Sequence, residues 1–366
     1  MNYKETLFFI AKSLTISLEE KNRDEIEFML KKTAIDWEAV VKVSTSHYVL
    51  PAVYCNFKRV NFLKYLPLDL VSYMKEITNL NRHRNTQILS QAQELNSLLI
   101  ANNIIPIFLK GTGNLLVGIY EDIAERMVGD IDFIFSKKDY PKAITVLKEF
   151  GYSEANKYKY YSPSELHYRR LSKKNHIAAI EIHSELIGIE KYTKEFNYSL
   201  IKKDSQIING VNVLSYTNKL NLSIIAYQMN ESGFYYKKIA LRNAYDVFLL
   251  SKKTNAKNAI NNLDKLKNPL NCFLATCFAV FNQIESLDYL KTKKASVHLR
   301  EFNNQFSNLK KTRIRHKIIK IYLFVRSRLK IIYKSLIYKE YRDWLIKKIT
   351  DKNWYKEKLN KLIYKK

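Results

Sequence analysis

Apolar residues recur at helical spacing through TLFFIAKSL, through WEAVVKV and along the stretch from Leu68 to Ile100, which predicts helices over residues 5–104. No glycine precedes Gly111, so this region lacks hairpin punctuation. The pattern changes at IIPIFL, Ile104 to Leu109, where a short apolar run meets KGTG and predicts a strand, a loop and then a helix. DIDFIF, Asp130 to Phe135, alternates acid and apolar residues with the period of two that a half-buried strand requires, putting Asp130 and Asp132 on one face and Ile131, Phe133 and Phe135 on the other. Tyr140 to Phe150 reads as a helix opened by Asp139 and Pro141 and closed by Gly151. Leu166 to Leu171 and His176 to His183 form two strand-like runs joined by SKKN, with Glu181 and His183 facing opposite to Ile180 and Ile182. Val211 to Leu214 adds a short strand, and Asn218 to Lys366 reads as helices. The expected fold class is α+β: a small mixed sheet over residues 104–216, between an N-terminal helical region, 1–103, and a C-terminal one, 217–366.

A chain of 366 residues can bury a full core without staples. Cys55, Cys272 and Cys277 make no even framework and read as buried thiols of a reducing cytoplasm, and neither a secretion signal nor a transmembrane helix is expected. A net charge of +27 ordinarily points to nucleic acid or an anionic membrane. Its distribution changes that picture, because Lys310 to Lys366 holds 20 Lys or Arg against four acids while the body is only mildly basic. The abundance of Lys, Asn, Ile and Tyr also fits A/T-rich coding, a cause without functional content.

Two carboxylates at i and i+2 on a strand lie roughly 6 to 7 Å apart at their Cα atoms, within reach of one or two Mg²⁺ ions. Alone, the triplet equally describes a solvated strand end. Lys110-Gly111-Thr112-Gly113 after a buried strand lets backbone N–H groups approach phosphate oxygens, and the helix that follows adds a favourable dipole. Phosphoryl and nucleotidyl transfer need positioning and charge neutralisation, which two metal-holding acids and a cation, Arg126 or Lys110, would supply. A third carboxylate near the metal can deprotonate an attacking hydroxyl, and Glu181 is the candidate.

The run IIPIFLKGTGNLLVGIYEDIAERMVGDIDFIF resembles the core of the uncharacterised bacterial nucleotidyltransferase family, with its strand ending in LKG, a Tyr, an Arg and then DID, within the DNA polymerase β-like superfamily. WEAVVKVSTSHYVLPAVY, IEIHSEL and LRNAYDVFLLSKK extend the resemblance to about Lys252. It implies metal binding by Asp130, Asp132 and Glu181, and phosphate contact near Lys110, Gly111, Thr112, Gly113 and Arg126. The superfamily usually has Gly-Ser where this chain has KGTG, so the equivalence of Thr112 to that serine is open, and Glu181 replaces a commoner aspartate. The implied reaction is Mg²⁺-dependent, with Mn²⁺ as substitute, moving a nucleotidyl group from an NTP to a hydroxyl of a sugar or small molecule.

Blander readings stand beside these. Lys110 can close a strand into solvent, Arg126 can orient Asp130 or Asp132 by ion pairing, and His183 is more often structural than a ligand. Asp246 can pair with Arg242 on one helical face. Two rivals remain: a binding or regulatory protein that keeps the fold without turnover, and a nucleic-acid-binding protein acting through the tail. The tail, residues 310–366, interleaves aromatic and basic residues at helical spacing, which suits an anionic membrane surface, a nucleic acid or a plain surface helix. The expected location is the cytoplasm, with peripheral membrane attachment as one reading of that tail.

Overall fold

A computed structural model describes residues 1–155, 160, 162, 163, 165–353 and 355. The described residues of 1–155 and 166–308 make one compact unit, and those of 309–355 belong to a second. The class is α+β, with one mixed sheet among many helices.

Among the described residues seven strands build the sheet: β1 (Ile107–Phe108), β2 (Asp130–Ile134), β3 (Ser153–Glu154), β4 (Leu171–Ser172), β5 (Ala179–His183), β6 (Gln206–Ile208) and β7 (Val211–Val213), in the spatial order β3-β4-β5-β2-β1-β7-β6. β2 runs parallel to β5 and antiparallel to β1. The central strand is covered on both faces, with Ile131, Phe133 and Ile134 buried together with Asp132. Phe133 meets Phe108 edge to face at 5.7 Å, the geometry that ring quadrupoles favour.

The alternation expected of DIDFIF and of AIEIH is present, and parallel pairing sets Asp132 opposite Glu181 and Ile134 opposite His183. Three expectations change. IIPIFL forms a strand only at Ile107 and Phe108, with the Leu109 N–H still donating to the Asp132 carbonyl, since Pro106 has no N–H to extend the ladder the other way. KGTG is not a free loop but the first turn of the helix Lys110–Leu116. Its Gly113 is needed for packing, because a Cβ there would stand 2.7 Å from the Phe108 carbonyl oxygen. The hairpin of β4 and β5 is looser than SKKN implies, with Leu171 paired to Ile180 and residues up to Ala178 in the connection.

The 34-residue helix Leu68–Ala101 holds the approach to β2. Asn85 donates through Nδ2 to the carbonyls of Ile123 (2.6 Å) and Arg126 (2.7 Å), and Asn81 donates to that of Ala124 (2.7 Å). Arg84 donates to the carbonyls of Val128 and Gly129, each at 3.2 Å. These bonds satisfy backbone acceptors of an irregular segment and so fix where Asp130 begins.

Candidate active site

At the end of β2 and β5 lies a cleft of about 560 Å³, lined on its sheet side by Asp130, Asp132, Glu181, His183, Lys110 and Gly111. Period-two alternation on β2 and β5, with the register of their pairing, puts the three carboxylates on one face. Lys110 enters with a left-handed backbone, φ 48°, which an L side chain adopts only when its surroundings demand it. Its ammonium donates to Asp132 Oδ1 at 2.6 Å and stands 3.8 Å from Glu181 Oε2.

Three further groups complete this wall. His183 Nε2 lies 2.8 Å from the same Asp132 oxygen. Arg170 bridges the other acids, donating from NH2 to Asp130 Oδ2 (2.8 Å) and Glu181 Oε1 (2.7 Å), and from Nε to Glu181 Oε1 (3.1 Å). His167 Nε2 stands 3.8 Å from Glu181 Oε2.

The two aspartates differ in their electrostatics. Burial, with Asp132 and Glu181 beside it, pushes the Asp130 carboxyl up to about 6. Burial acts the same way on Asp132, but the Lys110 charge and the His183 hydrogen bond overcome it and hold that carboxyl well below the usual range. His183 is lowered by burial and by Lys110, against the pull of Asp132, and is therefore neutral at pH 7. With its proton on Nε2 it orients Asp132. With the proton on Nδ1, which faces the Glu185 carbonyl at 3.4 Å, Nε2 is left as a donor atom beside Asp132.

A second, helical wall comes from Arg126, at the end of a short helical turn, and from the helix Leu241–Ser251. Arg126 is buried and donates from Nε to both oxygens of Asp246, at 3.0 and 3.1 Å, and Tyr120 donates to Asp246 Oδ1 at 2.7 Å. Arg126 thus pairs with Asp246 rather than with Asp130 or Asp132, and Asp246 takes Arg126 in place of the helical neighbour Arg242. The Arg242 guanidinium instead lies over the Tyr48 ring at 5.1 Å, and among the described residues no hydrogen bond or ion pair holds it. Burial and the nearby Arg126 lower its pKa.

The residues also fit a divalent cation. Asp132, Glu181 and His183 offer ligand atoms that all lie within 4.8 Å of one another, hard oxygens joined by one imidazole. The Lys110 ammonium among them shows that the cluster draws positive charge. A family model described as an uncharacterised nucleotidyltransferase matches residues 33–282. The chain belongs to this nucleotidyltransferase family. No curated protein and no solved structure matches it.

In this member of the family the structure brings Lys110, Gly111, Arg126, Asp130, Asp132 and Glu181 to one cleft. It turns two others away: the Thr112 hydroxyl donates to the Asp130 carbonyl at 2.9 Å, and Gly113 gives its carbonyl to the buried Lys219 ammonium at 2.8 Å. Arg170, His167, Arg242 and Tyr48 were missed by sequence reasoning. A register for the β4–β5 hairpin would have found Arg170, which stands beside the partner of Ile180 and so next to Glu181. Arg242 and Tyr48 are 194 residues apart and left no local signal.

Proposed function

We propose that the protein is a Mg²⁺- or Mn²⁺-dependent nucleotidyltransferase that moves a nucleotidyl group from an NTP to a hydroxyl of a sugar or other small acceptor. The observation that carries this reading is the trio of carboxylates, Asp130, Asp132 and Glu181, presented on one face of a cleft by two adjacent parallel strands.

Asp132, Glu181 and His183, whose ligand atoms cluster, would hold the metal, and Asp130 beside them would add a further carboxylate. The bound metal supplies neutralisation of the phosphates and a lowered pKa for the attacking hydroxyl. Lys110 and Arg170, which neutralise the acids in this structure, would contact phosphate oxygens with a cation bound to those acids. Arg242, which makes no ion pair among the described residues, supplies a further positive contact from the helical wall, while Arg126 keeps that wall in shape through Asp246. In the transfer step the acceptor oxygen bonds to the α-phosphorus, the bond from that phosphorus to the β-bridging oxygen breaks, and pyrophosphate leaves. The acceptor proton passes to Glu181.

Incubation with α-labelled and, separately, γ-labelled NTPs and small-molecule extract fractions tests this. Nucleotidyl transfer places the α label on an acceptor and the γ label in pyrophosphate. A γ label on the acceptor would make the protein a kinase, and no transfer from any NTP in any fraction would favour the non-catalytic binding protein.

A further inference from the structure

The helix Leu309–Ile337 belongs to the second unit, and the family match ends before it. From Ile314, steps of four and three residues land in turn on Ile318, Ile321, Val325, Leu329, Ile332 and Leu336. This is one face of an α-helix, kept for about 33 Å at 1.5 Å per residue. Every one of those side chains is exposed, from 46% at Val325 to 73% at Leu336. A continuous apolar stripe of this length in water is unfavourable and marks a surface meant to be covered.

Charge selects the cover. The same helix carries ten Lys and Arg and no acid. On a helical projection Lys317 and Arg328 border the stripe on one side, and Arg315 and Arg326 on the other. A second copy would bring two such helices together with no acid to offset the repulsion. A nucleic acid would use the basic borders but leave the aliphatic stripe in water. An anionic lipid surface satisfies both, since the stripe enters the acyl boundary while the basic borders lie at the headgroups. Spanning is not involved, because among the described residues no helix is long and apolar enough to cross a membrane.

We infer that Leu309–Ile337 is an interfacial helix that docks the protein on an anionic membrane surface, its Ile314-to-Leu336 stripe lying in the lipid. The inference is independent of nucleotide chemistry and stands or falls without it.

Flotation of the full chain with vesicles of phosphatidylcholine alone, or with about one-third phosphatidylglycerol, tests the docking. The wild type is expected to float with the anionic vesicles and to lose this with neutral ones. Ile318→Ser/Val325→Ser/Ile332→Ser removes stripe and no charge, and should lower the vesicle-bound fraction by roughly tenfold or more. Because these side chains are exposed, its thermal transition should match that of the wild type, which separates lost docking from lost folding. Failure of the wild type to float, equal flotation of the triple variant, displacement from vesicles by duplex DNA, or a dimer that the triple variant abolishes would each overturn the inference.

Discussion

The two walls of the cleft handle charge in different ways. On the sheet wall every acid already has a cation, through Lys110, Arg170 or both, and the network is shared among groups 2.6 to 3.8 Å apart. On the helical wall one arginine, Arg126, is locked to Asp246, and its neighbour Arg242 lies over an aromatic ring and makes no ion pair among the described residues. The difference separates two kinds of residue that look alike in sequence. A buried pair such as Arg126 with Asp246 holds shape, and removing one partner strands the other charge. A cation without a counterion is available to a ligand, and its loss costs binding rather than folding.

The largest effect should come from the sheet wall. Asp132→Asn keeps the shape but removes the charge shared by Lys110 and His183, and should lower transfer by about a thousandfold in a single-turnover assay run below the melting transition of the variant, which also falls because Lys110 loses its nearest counterion. On the helical wall, Arg126→Ala should destabilise by roughly 3–5 kcal/mol because Asp246 is left buried and unpaired, as read by chemical denaturation. Arg242→Ala should leave that stability unchanged and weaken NTP binding by about 10- to 100-fold in titration. If Arg242→Ala destabilised as much as Arg126→Ala with no change in binding, the contrast between the two arginines would be wrong.

A smaller effect is a pH dependence. With its carboxyl pushed up to about 6, Asp130 in the folded, metal-free protein keeps a proton that the unfolded chain loses near pH 4. The folded state therefore binds more protons in that window, and this group lowers stability as pH rises from about 4 to about 6. Asp132, held low, acts in the opposite sense, so the Asp130 contribution is read as the difference between wild type and Asp130→Asn. In chelator the variant should gain stability over the wild type as pH rises through that window, by on the order of 1 to 2 kcal/mol after screening by Arg170. Metal binding by the wild type should weaken as pH falls below about 6, with proton uptake on release.

Much of this wall was legible from sequence. Period-two alternation in DIDFIF and in IEIH fixes which side chains share a face, and the 34-residue helix follows from sustained helical spacing. The glycines of KGTG were read as a loop because glycine usually marks one, whereas Gly113 is there to let a helix approach the Phe108 carbonyl. β3, two residues long, and β6, with the sequence QII, are too short to show a period. The Arg126–Asp246 pair joins positions 120 residues apart, and Asp246 could be assigned from sequence only to its helical neighbour. Tertiary packing overrode the one partner that local pattern offered.

The most direct test of the account is calorimetric titration of each NTP, with Mg²⁺ at matched salt, into the wild type and into Asp130→Ala/Asp132→Ala. The account predicts metal-dependent binding of at least one NTP by the wild type and its loss in the double variant. Binding that survives the double substitution, or no NTP binding by the wild type, would contradict the assignment of Asp130 and Asp132 as the centre of a nucleotidyl-transfer site.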